Sequence, residues 1–339
     1  MFRKSARLLS VTLRGRGLSS DVQRLAYNAH PPTKLQEQLL QHSSPVPIVV
    51  TGAMDNWQAR NWTRSDLMQH GDTIVPVERS HNGGDYRDLH NASSTRGFEA
   101  DLEVPLSAVL QSMQDTRQQP VQSLLYAAQV DLISLIPALE EGIEQPPLRA
   151  IHDRLYKRNS WLGPAGTITP LHCDPYFNLF CQIWGSKYIR IYDRKHAQQL
   201  HPFSNPFLRN TSQVHVEKVD SKMFPNFDQV PYLECHLMPG EMLFMPKKFW
   251  HFVQALEPSC RLGHCTRPKA IAIASDCRNV HIHRHVWQLL QRLWQSSHHA
   301  TPQMGLLSTF WKGQGCARTG SESKGHIHFD GPCGASDGF

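Results

Sequence analysis

Between Asn159 and Leu256 the apolar residues fall into short runs, many of them alternating with polar residues, and turn formers separate the runs. SWLGPAGT, PLHCDP, LFCQIWG, KYIRIYD, YLECHLM, EMLFMP and HFVQAL each read as a strand. Gly163-Pro164, Gly185-Ser186 and Pro239-Gly240 punctuate them. Many short strands in succession predict a mainly β fold, a double-sheet jelly roll or double-stranded β-helix. The long stretch from His201 to Pro231 interrupts the pattern and is expected to be a surface insertion.

Upstream the periods are mixed. Residues 21–44 read as a helical approach, most periodic at LQEQLLQH, and PVPIVVTGAMDNW offers a short apolar strand stopped by Gly52. TIVPVERS predicts another strand, followed by a polar loop from His81 to Gly97. VPLSAVLQSM and VDLISLIPALEEGI have helical spacing, with a strand expected at SLLYAAQ between them. One main domain is therefore expected over 45–260. Residues 261–339 form a divergent tail with a helix candidate at HVWQLLQRLWQ and a Gly/Ser-rich end that reads as disordered.

The charge of the chain changes little in this picture once it is located. Of the +6 formal charge, Arg3, Lys4, Arg7, Arg14 and Arg16 precede the first acid, Asp21, leaving 30 basic against 29 acidic residues beyond them. Such a body carries no electrostatic footprint for nucleic acid. Residues 1–20, MFRKSARLLSVTLRGRGLSS, are rich in Arg, Ser and Leu and free of acids, which predicts a mitochondrial transit peptide and a matrix address, with the nucleus or cytoplasm as the alternative. No apolar run is long enough to span a membrane. The eight cysteines include no CxxC pair and read as free thiols.

The chemistry lies in His172, Asp174 and His251. In a strand His172 and Asp174 point the same way, and a second strand carries His251. Two imidazoles and a carboxylate on one face of a metal leave the other face open, the ligand set of non-haem Fe(II) oxygenases that take a keto acid and O₂. Such a keto acid needs a cation for its distant carboxylate, and Lys187 at the start of KYIRIY is the candidate. Thr169 offers a hydroxyl, Asn178 a donor to the metal-proximal carboxylate and Tyr126 a phenol. His281, His283 and His285 form an HxHxH tract with neither carboxylate nor strand pattern beside it, and are not assigned as ligands.

WLGPAGTITPLHCDPYFNLFCQIWGSKYIRIYD, with NTSQVHVE and LMPGEMLFMPKKFWHFVQALEPS, resembles the JmjC-domain, cupin-like 2-oxoglutarate oxygenases. It is most similar to the JmjC domain-containing protein 5 type, a group of protein hydroxylases also described as lysine demethylases. The resemblance covers residues 45–259. It implies Fe(II) on His172, Asp174 and His251, 2-oxoglutarate against Tyr126, Thr169, Asn178 and Lys187, and Trp161 on the substrate side. It also implies O₂ as oxidant and a protein or peptide as substrate, with arginine hydroxylation the first choice and methyl-lysine demethylation the second. Oligomeric state is not readable. After His251 the family has an apolar, aromatic strand, whereas ALEPSC is followed here by RLGHCTRPKAIAIA. The expectation is that this barrel strand is missing, which exposes a sheet edge beside the strand of His251 and makes a catalytically impaired scaffold the alternative function.

Overall fold

The computed structural model describes residues 19–27, 45–88, 97–113, 123–143, 155–206 and 208–266. The strands in chain order are β1 (Ser19–Asp21), β2 (Gln23–Ala26), β3 (Ile48–Thr51), β4 (Ile74–His81), β5 (Gly97–Pro105), β6 (Ser123–Val130) and β7 (Leu155–Gly163), then β8 (Ile168–Cys173), β9 (Phe177–Trp184), β10 (Lys187–Tyr192), β11 (Tyr232–Leu237), β12 (Met242–Met245), β13 (Trp250–Ala255) and β14 (Ser259–Thr266). Short helices α1 (Arg64–Met68), α2 (Leu106–Ser112) and α3 (Leu132–Leu135) join them.

The strands form two sheets, one in the order β1-β11-β10-β13-β8 and a larger one in the order β2-β3-β12-β9-β14-β7-β6-β4-β5. Strand alternation sorts their apolar residues into three cores. Val49, Phe180, Ile189, Ile191, Leu243 and Val253 pack together between the sheets. Leu179, Cys181, Met242, Phe244, Cys260 and Leu262 face the other way and pack against α1, α2 and α3 through Leu67, Leu110 and Leu132. On the far side of the smaller sheet, Leu171, Tyr192, Trp250 and Phe252 pack against Val214, Val216, Phe224 and Phe227. A mainly β double-stranded β-helix with a helical layer is thus the observed fold.

Several expectations need correction. The segment from 201 to 231 is no loose surface excursion, because its Val214, Val216 and Phe227 are buried in the third core. It also covers the open edge of β8: Cys173 N–H donates to Asn210 O at 2.9 Å and Ser212 N–H to Leu171 O at 2.8 Å. An uncovered edge strand would present a row of unpaired donors and acceptors. The start of the predicted helical approach is strand, since Ser19–Asp21 pairs in parallel with Tyr232–Glu234 and Gln23–Ala26 with Ile48–Thr51. LQEQLLQH lies outside the described residues, as do residues 1–18 and the stretch beyond 266 with its HVWQLLQRLWQ and HxHxH segments. A further strand, β5, forms after the polar loop and pairs with β4.

The largest correction concerns the strand expected to be missing. Ser259–Thr266 is that strand, antiparallel to β7 on one side and β9 on the other. The barrel therefore extends past residue 260. The strand of His251, β13, has no exposed edge, lying between β10 and β8. SCRLGHCT escaped recognition because its inward positions hold Arg261 and Gly263 instead of apolar residues, while Cys260 and Leu262 alone supply the outward apolar face. Burial between two partner strands overrides that weak local pattern. Leu262→Ala should lower unfolding free energy by about 2–5 kcal/mol, read from the denaturant midpoint; an unchanged midpoint would mean that β14 contributes nothing to the core.

Candidate metal centre and co-substrate site

The two histidines are direct cross-strand partners. His251 of β13 pairs with His172 of β8, and their ring centroids lie 4.2 Å apart. Asp174 sits just past the end of β8, where its backbone carbonyl accepts Lys248 N–H at 2.7 Å. Its Oδ2 lies 4.0 Å from His172 Nε2 and 3.9 Å from His251 Nε2. Among the described residues these are the three His, Cys, Asp or Glu side chains close enough together to share a metal, with ligand atoms all within 4.8 Å of one another.

Backbone carbonyls prepare both rings. His172 Nδ1 is 2.8 Å from Pro170 O, and His251 Nδ1 is 3.1 Å from Phe249 O. A carbonyl only accepts, so each Nδ1 carries the proton and each Nε2 keeps a lone pair for a metal. Burial, reinforced by the neighbouring His172, holds His251 well below the usual imidazole range, so it stays neutral. Asn178 Nδ2 donates to Asp174 Oδ2 at 2.8 Å and orients the carboxylate. Two imidazoles and one carboxylate are a donor set that fits Fe(II).

Thr169 lies three residues before His172, which by strict alternation would put it on the opposite face. The pairing resolves this: His172 faces His251, Thr169 faces Val253, and the register shifts between them. One extra residue of β8, in the stretch Pro170–Leu171, is accommodated as a β-bulge, which returns Thr169 to the inner face. Pro170, with no N–H for a ladder, suits that position.

The other predicted site residues converge on the same interior. Lys187 begins β10 on the inward face shared with Ile189 and Ile191 and is 1% exposed. Its Nζ lies 3.4 Å from Tyr126 OH, and Thr169 is in hydrogen-bonding contact with the same phenol. Burial, and then the charge of Arg261, lower Lys187 to about 7; burial raises Tyr126 to about 12. Asn178 Oδ1 is buried without a hydrogen-bond partner. Trp161, the predicted substrate-side residue, is buried on β7 with its ring over Arg261. These donors fit a dicarboxylate, with one end near Asn178 and the other near Lys187 and Tyr126.

Sequence reasoning missed two neighbours. Phe180 packs edge-on against His251 at 5.5 Å between centroids; its inward parity with Asn178 on β9 was the available signal. Arg261 fell in a stretch read as tail. A cavity lined by Glu78, Ser80, Asp85, Phe98, Tyr126 and Ile168 opens beside this group. Arg87 pairs with Asp85 at 2.7 Å and also binds Val214 O, tying that wall to the 201–231 segment.

A candidate metal centre of two histidines and a carboxylate in a double-stranded β-helix points to the cupin class, and the family comparison agrees with that fold. Residues 32–273 match the Cupin-like domain model. The chain is 36% identical over 218 residues to lysine-specific demethylase 8 of Xenopus tropicalis, covering 63% of this chain and 46% of the relative. It is 35% identical to lysine-specific demethylase JMJ30 of Arabidopsis thaliana, over 63% and 48% of the two chains. With Jumonji C domain-containing protein 5 of Drosophila melanogaster it is 37% identical, over 41% and 35%. The chain belongs to the cupin-like domain family, is similar to JmjC-named and demethylase-named relatives, and spans about half the length of the curated relatives it matches.

The buried lysine sets a pH dependence. Unfolded, Lys187 holds its proton up to 10.5, and folded only to about 7. The unfolded state thus binds more protons between those values, and stability of the ligand-free protein rises with pH across that window. Lys187→Met should flatten that rise in chemical denaturation at several pH values; an identical slope in the variant would contradict it.

Proposed function

We propose that the chain is an Fe(II)- and 2-oxoglutarate-dependent oxygenase that hydroxylates a protein side chain, arginine before methyl-lysine. The observation that carries this is the convergence of His172, Asp174 and His251 with Asn178 on the Asp174 carboxylate and the buried Lys187–Tyr126 pair. When bound, iron supplies the oxidative decarboxylation of 2-oxoglutarate that is coupled to C–H oxidation. The protein's part is to hold and orient. His172 and His251 offer Nε2 in a fixed tautomer, Asp174 is steered by Asn178, and Tyr126, Thr169 and Lys187 receive the co-substrate. The packed interior around Phe180, Ile189 and Val253 excludes water from them.

Names of the relatives as lysine-specific demethylases support a protein substrate and keep methyl-lysine as the second choice. Glu78 gives the cavity beside Tyr126 an acidic side chain, which favours a cationic residue such as arginine or lysine. The scaffold alternative loses its motive with β14 in place. No helix among the described residues is long and apolar enough to cross a membrane.

Purified protein given Fe(II), ascorbate and 2-oxoglutarate should produce succinate, more of it with an arginine peptide, whose mass should rise by one oxygen. His172→Ala should fall to background. Succinate formation that His172→Ala leaves intact would refute the site, and loss of methyl from a methyl-lysine peptide without arginine oxidation would select the second choice.

The mitochondrial address is a separate proposal that rests on the composition of residues 1–20. Because Ser19 and Ser20 pair with Tyr232 and Leu233, processing that preserves β1 must fall before Ser19 and not after Ser20. A fluorescent fusion of residues 1–30 should reach the matrix; cytosolic or nuclear fluorescence would give the alternative address.

A further inference from the structure

Arg261 is a cation inside the barrel without an evident counter-ion. It points inward from β14, is 3% exposed, and its Nε and Nη1 find no hydrogen-bond partner among the described residues. Its position is nonetheless tightly held. The guanidinium carbon lies 3.9 Å from the Trp161 ring and 3.8 Å from the Phe180 ring. Gly263, two residues on and facing the same way, makes this clamp possible, since a Cβ there would come within 2.5 Å of Trp161. The charge of Arg261 is felt by Tyr126 and Lys187 and also by Asp174 and His251. Asp174 is the one acid among them, and its Oδ2 already accepts from Asn178 at 2.8 Å and faces both histidines.

A buried guanidinium fixed in its plane, with Nε and Nη1 both lacking an acceptor, is suited to an oxyanion, whose oxygens accept charge-assisted N–H bonds. Cation–π stacking supplies orientation but does not satisfy hydrogen-bond donors in the ring plane. We infer that Arg261 is a second cation of the oxo-acid site, binding with Lys187 and Tyr126 the carboxylate of 2-oxoglutarate that lies far from the metal ligands. This rests on the co-substrate proposed above. It assigns the divergent strand a positioning role at the site: β14 completes the barrel and delivers a charge into it.

The test uses the full chain loaded with Mn(II), a redox-silent substitute for iron, and titrates two probes by calorimetry. They are 2-oxoglutarate and 2-oxopentanoate, which has the same chain length without the distal carboxylate. Arg261→Met should weaken 2-oxoglutarate by about tenfold or more while leaving 2-oxopentanoate within about twofold, and Arg261→Lys should recover part of the loss. Without ligand, Arg261→Met should melt no lower than the parent, because it removes an unpaired buried charge. Unchanged 2-oxoglutarate affinity, equal weakening of both probes, or a lower ligand-free melting temperature would each overturn the inference, the last by marking the stack as purely structural. Arg261→Gln, which keeps a planar amide between the rings, provides the same comparison if the methionine variant does not fold. Failure of the parent protein to bind 2-oxoglutarate would instead remove the co-substrate reading itself, a result visible before any substitution is made.

Discussion

The antiparallel register of β8 against β13 is the constraint on which the site depends. It pairs His172 with His251, so two ligands distant in sequence become neighbours with no loop needed to bring them together. A one-residue slip would turn one of them to the opposite face. The bulge at Pro170–Leu171 shows how finely the register is used: before it, Thr169 serves the Tyr126 end of the interior, and after it, His172 serves the metal end. A regular ladder could not present both inward at that spacing.

Holding β8 in that register falls partly to the segment from 201 to 231. Asn210 O and Ser212 N bond to β8 on either side of His172, and Arg87 fastens the same segment to the wall of the neighbouring cavity through Val214 O. The segment is therefore part of the metal centre's support. Changes in its length or packing act on the placement of His172, and so on the geometry of the candidate metal centre.

Much of this was legible in the chain. Short apolar runs in PLHCDP, LFCQIWG, KYIRIYD and HFVQAL located the barrel strands, and the strand period of two put His172 and Asp174 on one side. The bulge was not legible, since nothing local at Pro170 states which neighbour's register must shift. Nor was β14. Its apolar content is too thin to announce a strand, and it exists because β7 and β9 each need a partner in the gap between them. Arg261 was hidden for the same reason: a lone arginine in a polar stretch reads as solvated until the fold encloses it. The packing of the 201–231 segment depended on long-range contacts with Leu171, Tyr192 and Trp250, which no local pattern reveals.

Enclosing Lys187 and Arg261 works against stability of the empty barrel. Each buried cation without a matched anion costs on the order of several kcal/mol, and the two repel one another, which is part of why Lys187 is driven down to about 7. Apolar residues at both positions would make a more stable barrel, so packing alone does not explain them. On the co-substrate reading proposed above, a dianion gives Arg261 an acceptor and Lys187 a counter-charge, so the charges that weaken the empty fold strengthen the occupied one. On that proposal the interior electrostatics couple ligand capture to folding stability, with Asn178 and Asp174 at one end of the coupling and β14 at the other.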